Sequence, residues 1–388
     1  MAASLKAPRR IGVFTDYVYR QTGSRVYGER AFLLFVAAIA GHADRLVVIG
    51  RLEPEPGTWH YELPPDTGFV ALPYYPSLGR PHLALAGLVA AMRRFWRALD
   101  ELDAVWLLGP HPHGIAFALL ALLRRRRVVL GVRQDLPVYV RSRRPGRRLL
   151  HVVADVLEGA WRALARVVPV IVVGPELAAN YRAARAVLEL NVSLVRAEDL
   201  VEPEAALARW DAAGPRQVLS VGRLDAEKNP LMLADVLARL RERDPAWRMV
   251  ICGDGPLAGA LADRLEELGV ADAADLRGYV DHAELREVYR SSAAFLHVTW
   301  TEGLPQVLFE AFAAGTPVVA TAVGGVPAAA GEDALLMPAG DPDAAAELLT
   351  RLADDPALRE RLVRGGLGRV ADRTLDAEVE RVARFLAG

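Results

Sequence analysis

Short apolar runs alternate with helix-length segments along the whole chain, and this alternation most constrains its fold. Runs such as Ile11–Thr15 and Val218–Val221 have the length of strands. A segment with helical periodicity follows each of them before the next run. Strand–helix–strand repetition predicts parallel sheets covered by helices on both faces. With 388 residues, the chain is long enough for two such domains.

The pattern occurs twice along the sequence. In the first half the strand candidates are Ile11–Thr15, Leu46–Ile49, Phe69–Leu72, Ala104–Leu108, Val128–Val132 and Val167–Val173, and the helix candidates are Val26–Ala40, His82–Leu99, Ile115–Arg125 and Leu149–Arg166. In the second half the strand candidates are Val218–Val221, Met249–Cys252, Asp275–Leu276, Phe295–Val298, Val318–Ala320 and Leu335–Met337, and the helix candidates are Leu231–Arg243, Pro256–Leu268, Ala283–Arg290, Leu304–Ala314 and Asp343–Ala353.

The domain boundaries follow from composition. A charged stretch with two prolines, Arg196–Pro215, separates the two patterns and is interpreted as the linker. We therefore expect a first Rossmann-like domain over residues 1–195 and a second over residues 196–370. The last residues, 371–388, contain an amphipathic helix at Leu375–Leu386, which we expect to pack back on the first domain.

Bulk properties exclude several classes of protein. The formal net charge is −1, although basic residues dominate up to residue 195 and acidic residues dominate after it. The single cysteine, Cys252, excludes an intrachain disulfide and favours a reducing, cytoplasmic setting. The longest apolar runs, Ala31–Ala40 and Ile115–Leu123, are about half of the ~20 residues that a membrane span needs. Residues 1–10 lack the apolar centre of a signal peptide.

Two basic clusters, Arg124–Arg127 and Arg141–Arg148, have alternative interpretations. They could bind the anionic lipids of a membrane peripherally, or a phosphorylated acceptor. The favoured interpretation is solvated helix ends in an arginine-rich protein, because Arg126 and Arg127 also lead into a buried strand. Nucleic acid is not an expected partner, because aromatic residues do not alternate with the basic ones and no recognition module is present.

The first chemical constellation follows the strand candidate that ends at Gly222. Arg223 and Lys228 share one loop, and Pro230 then begins a helix. Two cations beside a helix N-terminus can bind phosphate. Two solvated charges would be the ordinary alternative, but Lys6 is the only other lysine of the chain. Because the rest of the chain uses arginine, the lysine at position 228 indicates that an ammonium group is needed there.

The second constellation lies between Phe295–Val298 and Val318–Ala320. Glu302 precedes a helix, and Glu310 lies about two turns inside it. A carboxylate can accept hydrogen bonds from two adjacent hydroxyls of a sugar, and the first backbone N–H groups of the helix are available to a ligand. The alternatives are an acid favoured by the helix dipole at Glu302 and an exposed glutamate at Glu310.

Taken together, these residues resemble glycosyltransferase family 4, whose retaining enzymes have the GT-B fold. The resemblance implies two Rossmann-like, doubly wound parallel-sheet α/β domains that face each other across a cleft. The clear match extends over about Val218–Pro342. It is carried by Gly222-Arg223, Glu227-Lys228-Asn229, Gly253-Asp254-Gly255-Pro256, Glu302-Gly303, Glu310-Ala311, Gly315, Pro317-Val318-Val319-Ala320 and Gly324-Gly325.

The resemblance implies a role for each matched residue in the second domain. Arg223 and Lys228, with Gly222, would hold the diphosphate of the donor. Glu302 and the backbone of Gly303 and Leu304 would bind the transferred sugar, and Glu310 would bind the ribose. The turn Gly278-Tyr279-Val280 would contact the base.

The first domain matches the family less closely. Its loop after the first strand has one glycine where two are usual, so Gly23 and Ser24 are the candidates for the phosphate-contacting loop. The family implies a histidine after the fourth strand. His111 and His113 both follow it, and we favour His113 because it directly precedes the helix. After the fifth strand no family-like histidine is present, so Arg133 and Asp135 are the candidates for the acceptor side.

The implied reaction moves a hexose from a nucleoside-diphosphate sugar to an acceptor hydroxyl, with retention of configuration. His113, Glu302, Arg223 and Lys228 would serve catalysis. We expect a UDP- or GDP-sugar as the donor, an acceptor that the sequence does not identify, and neither a metal nor another cofactor. The alternatives are a nucleotide-sugar epimerase, a sugar phosphorylase and a non-catalytic nucleotide-sugar-binding protein. A dehydrogenase is disfavoured, because no Gly-x-Gly-x-x-Gly follows a strand.

Overall fold

The computed structural model describes residues 10–75, 81–144, 146–190, 194–210, 216–303 and 305–388, with only the backbone of residues 81–86 and 142–143. The chain divides into two compact units. Unit 1 comprises Met1–Val192 and Leu375–Gly388, and unit 2 comprises Ser193–Thr374.

Unit 1 is built on a parallel sheet that winds outward in both directions from its first strand. The parallel strands follow the order β5-β3-β1-β6-β7-β8-β9, so the chain fills one side of β1 first and the other side afterwards. This order is that of a doubly wound sheet. The strands are β1 Arg10–Thr22, β2 Arg25–Gly28, β3 Arg45–Leu52, β4 Tyr61–Glu62, β5 Gly68–Leu72, β6 Ala104–Gly109, β7 Arg127–Val132, β8 Val170–Val173 and β9 Val187–Leu190.

The second part of β1 forms a hairpin that the sequence analysis missed. β1 pairs antiparallel with β2, from Tyr19↔Gly28 to Thr22↔Arg25, and β2 pairs with β4. The predicted helix Val26–Ala40 is therefore wrong over its first residues. A short apolar run fits a strand as well as a helix, and here pairing with β1 decides between them.

The helices of unit 1 cover both faces of this sheet. Its core includes Phe14, Phe117 and Trp161, all at most 1% exposed. The helices before the end of the chain are α1 Phe32–Ala38, α2 Pro81–Ala98, α3 Pro112–Leu123, α4 Leu136–Arg143, α5 Arg148–Ala165 and α6 Pro175–Asn180.

Unit 2 repeats the doubly wound scheme with a six-stranded parallel sheet in the order β12-β11-β10-β13-β14-β15. All six predicted strands form within two residues of their predicted bounds. The strands are β10 Arg216–Val221, β11 Trp247–Cys252, β12 Ala274–Gly278, β13 Ala294–His297, β14 Val318–Thr321 and β15 Ala334–Met337. The helices are α7 Pro203–Ala208, α8 Leu231–Arg243, α9 Ala258–Glu267, α10 His282–Ser291, α11 Gln306–Ala313, α12 Val326–Ala330, α13 Pro342–Asp354 and α14 Pro356–Ala371.

The segment interpreted as a linker is folded into unit 2. Helix α7 lies within it, and Ala206 is buried against Val363 and Leu367 of α14. The Val201 N–H donates to the Ala313 carbonyl at 3.1 Å. Residues 211–215, the end of the interpreted linker, lie outside the described residues. Charge and proline content indicated a loop, but α7 begins at Pro203, where proline is favoured in a helix.

The last helix, α15 Leu375–Ala387, packs in unit 1. Its buried side chains include Val379, Val382 and Leu386. Two hydrogen bonds attach it there: Arg381 Nη2 donates to the Glu189 carbonyl at 3.0 Å, and Arg127 Nη2 donates to the Phe385 carbonyl at 2.8 Å. Among the helices in the described part of the chain, none has both the length and the apolarity to cross a membrane.

Candidate functional site

The strand order of unit 2 reverses between β10 and β13. In open parallel sheets the loops at such a point diverge and leave a crevice at the carboxyl ends of the strands. A cavity at this point is lined by residues that follow both strands. They include Gly222, Arg223, Lys228, His297 and Val298. The first chemical constellation of the sequence therefore lies at the crevice.

Lys228 and Glu302 form an ion pair in this crevice. The Lys228 ammonium contacts Glu302 Oε2, although 74 residues separate them in the chain. Their side chains are only 21% and 15% exposed. His297 Nε2 lies 3.3 Å from the same carboxylate oxygen, without the alignment of a hydrogen bond. The phosphate and sugar candidates thus form one electrostatic unit.

Hydrogen bonds between the two loops fix this ion pair. The Glu227 carbonyl accepts from Thr299 Oγ1 and from the Trp300 N–H, each at 2.9 Å. Thr321 Oγ1 in turn donates to the Thr299 carbonyl at 3.0 Å. The backbone on either side of Lys228 and Glu302 is therefore positioned before any ligand arrives, which reduces the cost of ordering the site.

The glycine pair Gly324-Gly325 packs against the backbone carbonyl group of Glu302. Gly325 N–H donates to the Glu302 carbonyl at 3.1 Å. Gly324 has φ +50°, and a Cβ placed there would lie 2.0 Å from the Glu302 carbonyl oxygen. Only glycine fits at that distance and in that conformation, so this part of the sequence motif has a packing explanation.

Glu302 is held in its ionised form. Burial alone would raise the pKa of its carboxyl group, but His297 and the Lys228 ammonium more than offset this effect and lower the pKa to about 2. At neutral pH the site therefore contains a carboxylate that can accept hydrogen bonds from hydroxyl groups.

Arg223 lies on the more exposed side of the same loop. Its side chain is 63% exposed and forms ion pairs with Asp225 and, at 3.6 Å, with Glu227. Ion pairs this exposed contribute little to stability. The guanidinium can therefore exchange these carboxylates for a phosphate at small cost.

Glu310 occupies the second turn of α11. Tyr289 O–H donates to Glu310 Oε2 at 3.1 Å and approaches the Val307 carbonyl at 3.2 Å. Burial raises the pKa of Glu310. The charge of His282 acts on this carboxyl group in the opposite direction.

The remaining predicted donor residues of unit 2 lie on neighbouring loops. Gly278 ends β12, and its carbonyl accepts from the Gly253 N–H at 2.7 Å. The next residue, Tyr279, is 62% exposed. Val280 packs against the core. Gly303 N–H points back to Glu302 Oε1 at 3.2 Å, and Leu304 lies outside the described residues.

Unit 1 places both candidate histidines after β6, at the reversal of its own strand order. His111 is committed to local structure: its Nδ1 accepts from the His113 N–H at 3.2 Å, and its Nε2 contacts the Tyr75 hydroxyl at 3.1 Å. His113 stacks on the Tyr75 ring, with centroids 5.2 Å apart. Its Nδ1 has no hydrogen-bond partner among the described residues.

Both imidazoles are neutral at physiological pH. Burial lowers the pKa of His111 to about 3, and the charge of Arg51 contributes to this shift. Burial and the same arginine lower the pKa of His113 to about 4. A neutral imidazole can accept a proton or a hydrogen bond, and the geometry leaves only His113 with an unused ring nitrogen.

Gly23 and Ser24 follow the first strand as expected, but another strand comes after them where a helix was predicted. They form the two-residue turn of the β1–β2 hairpin, with Gly23 at φ +59°. This turn does not lead into a helix, because β2 follows it. The turn that precedes α1 instead comprises residues 29–31. The expected glycine-rich turn between strand and helix is therefore corrected to a hairpin turn.

The acceptor-side candidates have contacts of their own. Arg133 donates to the Tyr17 hydroxyl, and its guanidinium lies over the rings of Tyr17 and Phe32, 4.9 and 5.1 Å from their centroids. Asp135 caps the N-terminus of α4 by accepting from the Val138 N–H at 3.0 Å. Both residues are thus engaged locally, at the carboxyl end of β7.

Sequence reasoning missed three residues that shape these sites: His297, Tyr289 and Tyr75. His297 ends β13, and its position directly before the loop of Glu302 was a signal that could have identified it. Tyr289 and Tyr75 lie on other elements and reach Glu310 and His111 only through the fold. In the described part of the chain, no group of three or more His, Cys, Asp and Glu side chains is arranged to hold a metal ion.

Comparisons with known proteins agree with this architecture. Residues 209–368 match the family described as glycosyl transferases group 1. The D-inositol 3-phosphate glycosyltransferase of Thermomonospora curvata is 34% identical over 214 residues, which are 51% of this chain and 50% of that protein. The chain spans about half the length of this relative, and a smaller part of others.

Solved structures match almost the whole chain. HepE of Anabaena, in complex with UDP, has a TM-score of 0.70 and 16% identity over 97% of this chain and 98% of its own. Sucrose-phosphate synthase from Thermosynechococcus elongatus has a TM-score of 0.66 and 20% identity over 96% and 97%. Residues 209–368 thus match the glycosyl transferases group 1 family, and the chain has the GT-B fold that its resemblance to glycosyltransferase family 4 predicted.

Proposed function

We propose that this protein is a retaining glycosyltransferase, which moves a hexose from a nucleoside-diphosphate sugar to an acceptor hydroxyl. The observation that carries the proposal is the Lys228–Glu302 pair, held at the strand-order reversal of unit 2 by hydrogen bonds between two loops. This pair places a cation for phosphate and a carboxylate for hydroxyls side by side. A donor that joins a diphosphate to a sugar needs both.

The cations stabilise the leaving group in this proposal. The diphosphate gains charge as its bond to the sugar breaks, and Arg223 and Lys228 lie where they can bind it. Fixed charges of this kind are worth more in a partly buried site than in water. They can stabilise the charge that a divalent metal would otherwise stabilise, so the proposed mechanism does not require a metal.

The two glutamates bind different parts of the donor. Glu302, ionised at neutral pH, accepts hydrogen bonds from the transferred sugar. Glu310 accepts hydrogen bonds from the ribose. The backbone of Gly278–Val280 contacts the base. A uracil base is favoured over guanine because HepE, which has the same fold, binds UDP.

Retention follows from front-face attack in this mechanism. Glu302 is already engaged by Lys228 and by His297 at 3.3 Å, so we do not assign it the role of a covalent nucleophile. The acceptor oxygen instead attacks the anomeric carbon from the side of the leaving diphosphate. A phosphate oxygen takes the acceptor proton, and the bond between the sugar and the diphosphate breaks. In unit 1, neutral His113 has an unused Nδ1 that can accept a hydrogen bond from a hydroxyl group of a ligand bound there.

Calorimetric titration with UDP, GDP, ADP and dTDP tests the donor site. We expect UDP to bind most tightly and Glu310→Ala to weaken it, while Glu347→Ala, on an exposed face of α13, has no effect. A ligand at about 100 times its dissociation constant should stabilise the fold by ~2.7 kcal/mol, so thermal melting provides an independent readout. If well-folded protein binds none of the four, the proposal is wrong.

Product analysis separates the proposed transfer from related activities. The protein is incubated with the UDP-hexose alone and then with a mixture of hydroxyl acceptors. Transfer predicts a glycoside with the anomeric configuration of the donor, formed only with acceptor. An epimeric nucleotide sugar formed without acceptor would assign an isomerase instead. Donor binding without turnover on any acceptor would assign a binding protein.

A further inference from the structure

Helix α5 carries most of its large aliphatic residues on the solvent side. Leu149, Val152, Val153 and Val156 are 76%, 57%, 46% and 64% exposed. Their spacing puts them in one stripe along the helix. The opposite, buried stripe comprises Ala154, Glu158, Trp161 and Ala165. The helix thus presents an apolar face to solvent.

Helix α4 packs against α5 and also carries exposed apolar residues. Val138 and Tyr139 are 63% and 42% exposed. Bidentate hydrogen bonds from Arg141 of α4 to Asp155 of α5, at 2.7 and 2.8 Å, join the two helices. We call this area the α4–α5 surface. Its exposed apolar residues are Val138, Tyr139, Leu149, Leu150, Val152, Val153 and Val156.

The α4–α5 surface holds nearly half of the large apolar side chains that are exposed on the described residues. Scattered exposed apolar residues need no explanation, but a contiguous group marks an interaction site.

Cations border the same surface. Arg144, Arg147 and Arg148 are exposed at the N-terminus of α5. None of them has a carboxylate partner among the described residues. Asp155, the acid nearest to the stripe along α5, is already bound by Arg141. The surface therefore combines aliphatic residues with uncompensated positive charge.

We propose that the α4–α5 surface docks on an anionic lipid bilayer. Aliphatic side chains on a helix that lies in the membrane plane insert among the acyl chains, while arginines beside them bind lipid phosphates. A protein partner could also cover aliphatic residues, but the uncompensated arginines select a surface dense in negative charge. This interaction does not depend on the proposed reaction and goes beyond it.

Co-sedimentation with vesicles tests the proposal on the full chain. Vesicles of phosphatidylglycerol and phosphatidylcholine in equal amounts should bind the protein, and vesicles of phosphatidylcholine alone should bind it much less. Binding to the anionic vesicles should weaken as salt is added, because the phosphate contacts are screened. The proposal would be overturned if the protein bound neither kind of vesicle, or if it bound both kinds equally.

Two pairs of substitutions locate the binding surface. Leu149→Glu with Val156→Glu should lower partitioning to the anionic vesicles by at least about tenfold, because both apolar contact and charge attraction are lost. Leu123→Glu with Val167→Glu is the matched control, since these residues are 72% and 55% exposed outside the α4–α5 surface. The control should bind within about twofold of the unaltered chain. The reverse pattern would place the contact elsewhere and contradict the assignment.

Charge substitutions provide a second test that leaves the apolar residues in place. Arg147→Gln with Arg148→Gln should weaken binding to the anionic vesicles by about thirtyfold, at roughly 1 kcal/mol per arginine. Arg166→Gln with Arg182→Gln removes the same charge from exposed positions outside the surface and should have a much smaller effect.

Sedimentation velocity tests whether a second copy of the chain, and not a membrane, covers the α4–α5 surface. A dimer that Leu149→Glu with Val156→Glu dissociates, in a chain that does not bind vesicles, would assign the surface to a second copy and overturn the proposal.

Discussion

The strand order reverses in the same way in both units, but the side chains at the two reversals differ: they are charged in unit 2 and neutral in unit 1. In unit 2 the loops after β10 and β13 bring a lysine, a glutamate and a histidine into one charged group. In unit 1 the loop after β6 presents two histidines packed on Tyr75, and no carboxylate of the described residues is in hydrogen-bond contact with either ring. The shared sheet order fixes where a ligand can bind, and the residues on the loops decide which ligand that is.

The two sites also fix protonation states in opposite ways. Partners outweigh burial at Glu302, so its pKa falls to about 2 and it is charged at neutral pH. Burial dominates at His113, so its pKa falls to about 4 and it is neutral. This difference is appropriate if unit 2 binds a charged donor and unit 1 contacts an uncharged hydroxyl. The following predictions test that division.

The largest effect is expected from Lys228→Met. Loss of the ammonium removes leaving-group stabilisation, so kcat/KM for glycosyl transfer should fall by about 10³-fold. Arg369→Met is the matched control, because Arg369 and Asp333 form a similarly shielded ion pair in unit 2, with side chains 26% and 21% exposed and 2.6 Å apart. It should cost stability but little activity. Equal losses of activity in both variants would show that Lys228 acts only through stability.

Glu302→Gln should change how stability depends on pH. The pKa of Glu302 is lower in the folded chain than in the unfolded chain, so its contribution is present above about pH 4.5 and is lost as the pH falls toward 2. Over that window the unaltered protein should lose about 3 kcal/mol more of its free energy of unfolding than the variant does. Denaturant titrations at each pH measure the difference, with Glu347→Gln as the control. Parallel curves for all three proteins would refute the assigned pairing.

Substitution of the two histidines of unit 1 should have different effects, one on turnover and the other on stability. His113→Ala should reduce kcat by about 10²-fold, in the range for groups that transfer or orient a proton. His111→Ala should mainly destabilise unit 1, by about 2 kcal/mol, because the cap of α3 and the contact with Tyr75 are both lost. Steady-state rates and chemical denaturation of both variants provide the comparison. If His111→Ala lowers kcat more than His113→Ala does, the roles are reversed.

The smallest effect is expected from Asp135→Ala. Removing the cap of α4 should cost about 1 kcal/mol of stability and leave turnover within about twofold. Asp281→Ala, which removes the corresponding cap of α10 in unit 2, serves as the control. A tenfold loss of turnover for Asp135→Ala alone would instead place Asp135 in contact with the acceptor.

Sequence reasoning was most successful in unit 2, where most strands contain a short buried apolar run, although β12 is largely exposed. It was weaker in unit 1. There, the β1–β2 hairpin was mistaken for the start of a helix, because Val26 and Tyr27 fit both periodicities until they pair with β1. The folded segment around α7 was mistaken for a linker for a related reason: its few apolar residues, such as Ala206, are buried by contacts with distant parts of the chain such as α14.

The sequence by itself determined two parallel sheets covered by helices and the loops that carry Arg223, Lys228, Glu302 and Glu310, because apolar periodicity and turn residues act locally. The doubly wound order of these sheets was implied by the family resemblance. Only the tertiary structure decided which of these side chains meet. Parallel strands need long crossovers, so neighbours such as Lys228 and Glu302 lie 74 residues apart in the chain. The same reason applies to the exposed aliphatic face of α5. Periodicity shows that a helix has an apolar stripe, but only packing against the rest of the fold decides which stripe is buried.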